Sequence, residues 1–198
     1  NMHNGGNTHF GAFLLLIPLL AGRGTAGAAE LVHTTTVADA VLFYEAFGLT
    51  QVRVRSEYPM DVKDPRSVQR LIDDQITMYD VMAYSATHDM VAREWTNGFS
   101  LTRQAADMLL HGNGGVHTIP AMFLALMAEH PDTFIAKQFD EETAEKVMYK
   151  AREVLGGRRG LAEFDEECIS AGINPGSLAD ICIAGIFTAL LEGWKWDC

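Results

Sequence analysis

Three short segments carry residue types and spacings suited to chemistry on a phosphate-bearing substrate. The first is Gly5-Gly6-Asn7-Thr8-His9-Phe10-Gly11. Two glycines ahead of a helix start let the backbone approach a ligand closely and aim N–H groups at phosphate or carboxylate oxygens. His9 adds a proton-transfer group or a neutral hydrogen-bond donor. The ordinary structural alternative is a turn plus a helix cap, with His9 satisfied in the core. The local pattern, neither a Walker A loop nor GxGxxG, leaves both open.

The second segment is Ile173-Asn174-Pro175-Gly176-Ser177-Leu178-Ala179-Asp180. Asn174 or Ser177 is expected to cap a final helix, leaving N–H groups free near its start. Asp180 falls within or just after the first turn, where it either stabilises the helix dipole or helps hold a Mg²⁺ brought by a nucleotide. The third is His130-Pro131-Asp132-Thr133-Phe134-Ile135-Ala136-Lys137. Asp132 suits a helix cap, a Mg²⁺ ligand or a carboxylate facing developing positive charge. Lys137 suits a phosphate partner or a plain exposed lysine. In His88-Asp89 and Arg93-Glu94-Trp95, the i, i+4 pair Asp89 and Arg93 reads as a solvated pair contributing only ~0.2–0.5 kcal/mol. His111, His117 and His130 have no metal-ligand spacing.

The elements that must position these residues read as helices. Thr8 is placed to cap a first helix running to about Ala21, which the Gly22 to Gly27 stretch breaks. Thr36 opens a helix over Val37 to Phe47, with Gly48 at its C′ position. Gln51 to Arg55 alternates apolar and basic residues, a strand-like stretch too short for a sheet of its own. Asp64-Pro65 reads as N-cap and N1 of a short helix. Further helices are expected over Met78 to Trp95, Thr102 to Leu110, and an apolar stretch ending near His130-Pro131. Asp140, Glu141 and Glu142 mark the start of another, with Ala144, Val147, Met148, Ala151, Val154 and Leu155 as its apolar face. One more ends near Ala171. The last, from about Pro175 to Trp194, is apolar nearly all round between Ile181 and Leu191 and is expected to be the core helix. The fold class is therefore all-α, a single compact multi-helix domain over residues 1–198 with a buried C-terminal core helix.

Composition narrows the function classes. The chain has 198 residues, 48% of them hydrophobic, enough for one domain with a substantial core. Its net charge of −11 and pI near 5.0 disfavour nucleic acid and anionic membranes, so a polyphosphate ligand needs local cations or Mg²⁺. Cys168, Cys182 and Cys198 show no CxxC spacing, which fits a reducing cytoplasm rather than a disulfide scaffold. The apolar run Gly11 to Ala21 is about half the ~20 residues of a membrane span and contains Pro18, so it reads as a buried helix. The apolar final helix and Trp194-Lys195-Trp196 suit an interface in a homo-oligomer.

Taken in order, GGNTHFGAFLLLIPLLAG (Gly5 to Gly22), PDTFIAK (Pro131 to Lys137) and INPGSLADICIAGIFTALLEG (Ile173 to Gly193) resemble the triphosphoribosyl-dephospho-CoA synthase family. Its members prepare the prosthetic-group precursor of citrate lyase and malonate decarboxylase systems. MYDVMAYSATHDMVAREW (Met78 to Trp95) is similar to the archaeal branch. The resemblance implies a cytoplasmic transferase that moves the triphosphoribosyl group of ATP to the 2′-hydroxyl of 3′-dephospho-CoA and releases adenine. It also implies Mg²⁺ as cofactor. In that reaction an acceptor hydroxyl attacks C1′ of the ATP ribose through an oxocarbenium-like centre, as in glycoside cleavage. His9 is then expected to transfer a proton, with Asp132 and Asp180 stabilising the oxocarbenium or holding Mg²⁺. Gly5, Gly6, Asn7, Thr8, Lys137, Asn174, Gly176 and Ser177 are expected to bind substrate. Family members carry a further helical segment before the first motif, so the chain is expected to be N-terminally incomplete relative to them. The alternatives are the same glycosyl transfer to another nucleotide or coenzyme-precursor acceptor, hydrolysis with water as acceptor, and a non-catalytic nucleotide-binding helical module.

Overall fold

A computed structural model describes residues 9–48, 64–112 and 117–196. The glycine-rich Gly5 to Thr8 stretch, the strand-like Gln51 to Arg55 and Cys198 lie outside the described residues. Among those described, every regular element is a helix. In chain order these are α1 (Phe10–Ala21), α2 (Thr25–Val32), α3 (Val37–Gly48), α4 (Pro65–Asp73), α5 (Met78–Ser85) and α6 (Met90–Thr96). They continue with α7 (Ser100–Leu110), α8 (Thr118–Glu129), α9 (Thr133–Gln138), α10 (Glu141–Leu155), α11 (Leu161–Ser170) and α12 (Gly176–Leu191).

The core is organised around α12, as its composition predicts. Leu178, Ile181, Ala184 and Ala189 are fully buried, and α7, α1, α8, α6 and α9 all pack against it. The closest approach is to α7 at Gly185, where a Cβ would lie 2.4 Å from Ala105 Cβ. Glycine here is a matter of space, because it lets the two backbones come together. Ile183, Leu190 and Leu191 nonetheless reach solvent, so the helix is central without being enclosed.

Several boundaries differ from the sequence reading. The predicted break at Gly22 to Gly27 is confined to three residues, Gly22, Arg23 and Gly24, the last two with positive φ. Gly27 instead sits inside α2, its α-carbon against the Gly22 carbonyl, where a side chain would not fit. The predicted helix over Met78 to Trp95 is two helices. Asp89 leaves helical geometry (φ −137°, ψ 115°) and its carboxylate accepts from the N–H groups of Val91 and Ala92, starting α6 afresh. Arg93 therefore does not pair with Asp89; its guanidinium donates to the Ala86 and Thr87 carbonyls at the end of α5. The first helix is less buried than expected. Leu15 and Leu19 face the core, but Phe13, Ile17 and Leu20 form a stripe that is 59–66% exposed.

Other sequence signals are realised as expected. Asp64 caps α4 with Pro65 at its first position, and Asp140 caps α10. Thr36 exchanges hydrogen bonds with Asp39 at the start of α3. On α10, Ala144, Val147, Met148 and Ala151 are buried, while Leu155 is exposed. No single helix among the described residues is long and apolar enough to cross a membrane. α1 and α2 together have the length and apolar composition of a span, but the pair is bent by 103° at the break between them.

Candidate active site

The predicted site residues on α9 and α12 meet because the starts of several helices are tied to one another. Asp132 is the centre of this arrangement. Only 2% exposed, it caps α9 in the ordinary way, Oδ1 accepting from Phe134 N–H at 2.6 Å and Ile135 N–H at 3.2 Å. Its other oxygen caps α12: Oδ2 accepts from Leu178 N–H at 2.8 Å, and Ser177 N–H also points at the carboxylate. Burial pushes the Asp132 carboxyl above the usual range, while the four N–H groups pull it back down.

This shared cap changes what the start of α12 can offer. Neither Asn174 nor Ser177 caps it with a side chain; Pro175 stands at the N-cap. Gly176 N–H donates to the Asn174 carbonyl and Ala179 N–H to the Pro175 carbonyl, and Asp132 takes the two between. The N–H groups expected to be open for phosphate are thus occupied within the protein. Gly176 serves packing, its α-carbon lying against the Phe134 ring, and the Ser177 hydroxyl is buried, facing Thr133.

Asp180 lies one turn further along α12, half-buried, against the first turn of α1. Ala12 N–H donates to its carboxylate, and a Cβ on Gly11 would fall 2.0 Å from its Oδ2. The first motif therefore needs glycine at position 11 because a carboxylate occupies the space of its side chain. Burial pushes the Asp180 carboxyl up to about 7; the Ala12 N–H opposes this, and the charges of Asp132 and Asp89 add to it. A carboxyl near neutrality is equipped to exchange protons at working pH.

His9 stands at the N-cap of α1, exposed, its carbonyl accepting from Phe13 N–H at 3.0 Å. Lys137, on α9, forms an ion pair with Asp89, whose other oxygen caps α6. Asp89 thus belongs to the site's surroundings, a role its position beside Arg93 in sequence concealed. Thr133 is a further residue of this junction that the sequence reading did not single out. Its hydroxyl accepts from Met90 N–H at 3.0 Å and donates to Ser177 Oγ at 3.2 Å, so it touches α6 and α12 together.

Among the described residues no group of three His, Cys, Asp or Glu side chains is arranged to hold a metal ion. Asp132 directs both oxygens at backbone N–H groups, and Asp180 is packed on Gly11, its proton affinity raised by burial. This donor set does not fit a Mg²⁺ held by Asp132 and Asp180 together. A surface groove of about 570 Å³, lined by residues including Arg103, Asp107, His111 and Glu192, lies along α7 and the far end of α12. It contains none of the predicted site residues, although Thr188 and Glu192 belong to the Ile173 to Gly193 stretch. From Asp180 to Thr188 on its wall α12 rises roughly 12 Å.

Among the described residues the fold is all-helical, and three of the sequence motifs converge beside a carboxyl held near neutrality. The chain belongs to the CitG family, ATP:dephospho-CoA triphosphoribosyl transferase, whose model matches residues 1–198. It is similar to a crystal structure from Archaeoglobus fulgidus described as a candidate triphosphoribosyl-dephospho-CoA synthase, with a TM-score of 0.82 and 28% identity. That match covers 94% of this chain and 84% of the other. No curated protein matches the chain.

Proposed function

We propose that triphosphoribosyl transfer from ATP to dephospho-CoA takes place at the junction of α1 and α12, with Asp180 as the proton-transfer carboxyl. The observation that carries this reading is the lodging of Asp180 on Gly11 and Ala12. It joins the first and last family motifs and holds a carboxyl near neutrality.

The reaction forms a bond from the acceptor 2′-oxygen to C1′ of the ATP ribose and breaks the bond from C1′ to adenine. Positive charge develops at C1′, adenine takes a proton, and the acceptor hydroxyl loses one. An anionic triphosphate nearby raises Asp180's proton affinity further, so with ATP bound the group is protonated and suited to donate to departing adenine. His9, at the start of α1, is assigned the proton of the acceptor hydroxyl. Lys137 is assigned a phosphate, which requires it to exchange its Asp89 partner for the ligand. Gly5, Gly6, Asn7 and Thr8 are assigned the remaining phosphate contacts. Asp132, Gly176 and Ser177 become supporting residues, and no step is routed through Mg²⁺.

The test is adenine release from ATP with and without dephospho-CoA, followed by mass spectrometry of the products. Release that requires dephospho-CoA and is abolished by Asp180→Asn supports the reading. Release with water alone would make the chain a nucleotide hydrolase. Nucleotide binding with no release would make it a binding module.

A further inference from the structure

We propose that Thr133 is a positioning residue for the transfer reaction, its hydroxyl linking the first turns of α6, α9 and α12 so that Asp180 is held in place. The proposal rests on the reading of Asp180 given above.

This hydroxyl belongs to the few threonine hydroxyls that link elements far apart in sequence; that of Thr35 does so too, accepting from Tyr79 N–H at the start of α5. Those of Thr34, Thr96 and Thr188 bond back to carbonyls of their own helix or turn, and those of Thr36 and Thr77 help close local caps. Thr133 needs no such role, because Asp132 already caps α9. Its partners are instead 43 and 44 residues away in sequence. On one side it accepts from Met90 N–H, the first amide of α6. The Asp89 side chain leaves that amide unfilled, taking Val91 and Ala92. On the other side it donates to Ser177 Oγ in the first turn of α12. Asp132 and Thr133 thus grip this turn by two means, the carboxylate on its backbone and the hydroxyl on its side chain.

Asp180 is three residues beyond Ser177, on the same side of the helix. A small rotation of α12 about its axis would carry the carboxyl off Gly11 and Ala12. The cap from Asp132 resists fraying of the turn, and the Thr133 bond resists its rotation. α6 enters the same linkage: Asp89 at its start pairs with Lys137, and the Trp95 indole near its end donates to the Leu14 carbonyl of α1. Thr133 therefore connects both walls of the site, one through α12 and one through α6.

The test compares Thr133→Val, which keeps the shape and removes the hydroxyl, with Thr133→Ser, which restores it, using adenine release against pH. Thr133→Val is expected to lower kcat by about 10- to 100-fold while KM for ATP stays within about threefold, the pattern of lost positioning rather than lost binding. Its kcat should also fall at a lower pH than in the parent, because a displaced Asp180 gains solvent. Thr133→Ser should recover kcat to within about threefold of the parent, a rescue that requires only the hydroxyl. Ser177→Ala breaks the same bond from the other side and keeps the test open should Thr133→Val fail to fold. It should reproduce the kcat loss, and the double variant should lose no more than the worse single one. A parental kcat and pH profile in Thr133→Val, no recovery in Thr133→Ser, or additive losses in the double variant would each overturn the proposal. Asp180→Asn separates the two layers. If it is inactive while Thr133→Val is unaffected, only the role of Thr133 falls; if it is fully active, the reading of Asp180 falls with it.

Discussion

Replacing Asp180 by Asn should make the protein more stable and less active, with the stability gain confined to neutral and alkaline pH. The Asp180 carboxyl is held at about 7, against 3.8 for an ordinary aspartate. Each tenfold change in proton affinity is worth about 1.4 kcal/mol, so keeping it ionised in the fold costs on the order of 4 kcal/mol. Its residual contact with solvent reduces the expected cost to about 2 kcal/mol. Because the folded-state value is raised, the native protein binds more protons than the unfolded chain between about pH 4 and 7. Stability is therefore highest below this window, falls as pH rises through it, and levels off above about 7. Asn keeps the shape, can still accept from Ala12 N–H, and never ionises. At pH 8 the variant should melt about 4–8 °C higher than the parent, a few degrees per kcal/mol for a domain of this size. At pH 4 the difference should vanish. Adenine release should fall by at least about 100-fold, the usual contribution of a positioned proton donor. Thermal denaturation at the two pH values and single-turnover adenine release measure both halves. A melting difference equal at both pH values, or a variant less stable at pH 8, would refute the electrostatic argument.

Gly11→Ala should displace Asp180 without altering it, because the new Cβ falls 2.0 Å from Oδ2. Alanine normally favours a helix interior by about 1 kcal/mol over glycine, so a drop in melting temperature together with lost adenine release is the diagnostic result. Asp132→Ala should destabilise the fold by about 3–5 kcal/mol, since it removes two helix caps and strands buried N–H groups; urea denaturation measures this. Glu94→Ala should act similarly at about 2–4 kcal/mol, because its fully buried carboxylate accepts from Leu101 and Thr102 N–H and caps α7 from the preceding helix. Lys137→Met should raise KM for ATP. It should also move the alkaline fall in kcat to higher pH, because an unpaired Asp89 strengthens proton binding at Asp180; a pH series of initial rates tests both effects.

What the sequence revealed was whatever depends on neighbours within a turn or two. Asp64-Pro65, Thr36, Asp132 and Asp140 announce helix starts, because a cap is a contact between residues two or three apart. The apolar run of α12 likewise announces a core helix by composition alone. Contacts across the fold have no such signature. Asp132 reaches Leu178 over 46 residues, which turned an expected phosphate-binding helix start into an internally satisfied one. Asp89 and Arg93 looked like partners at i, i+4, yet that spacing pairs residues only within one unbroken helix, and Asp89 begins a new one. The signal for that break was present in Thr87-His88-Asp89, a helix-start pattern inside an otherwise periodic stretch. Gly11 could be read from sequence as a flexible residue, but only the packing of Asp180 on it shows that it is there for space.

The proposed site poses an electrostatic difficulty: on that reading an acidic protein handles a triphosphate beside three carboxylates and one lysine. The hydrogen-bond pattern shows how the difficulty is reduced. Asp132 faces four backbone N–H groups, whose partial positive charge is concentrated at the starts of α9 and α12. Asp89 faces Lys137 and two N–H groups of α6. Among the described residues Asp180 has Ala12 N–H as its backbone donor, and its burial favours the protonated, uncharged form. A polyphosphate approaching this junction therefore meets two carboxylates already compensated and a third that can become neutral by binding a proton. That proton is held more tightly as the phosphates approach, so binding of ATP and arming of the acid are linked by the same charges. A carboxylate fully ionised at neutral pH would repel the substrate and have no proton to give. On the proposed reading, the burial that makes Asp180 costly to the fold is what suits it to the reaction.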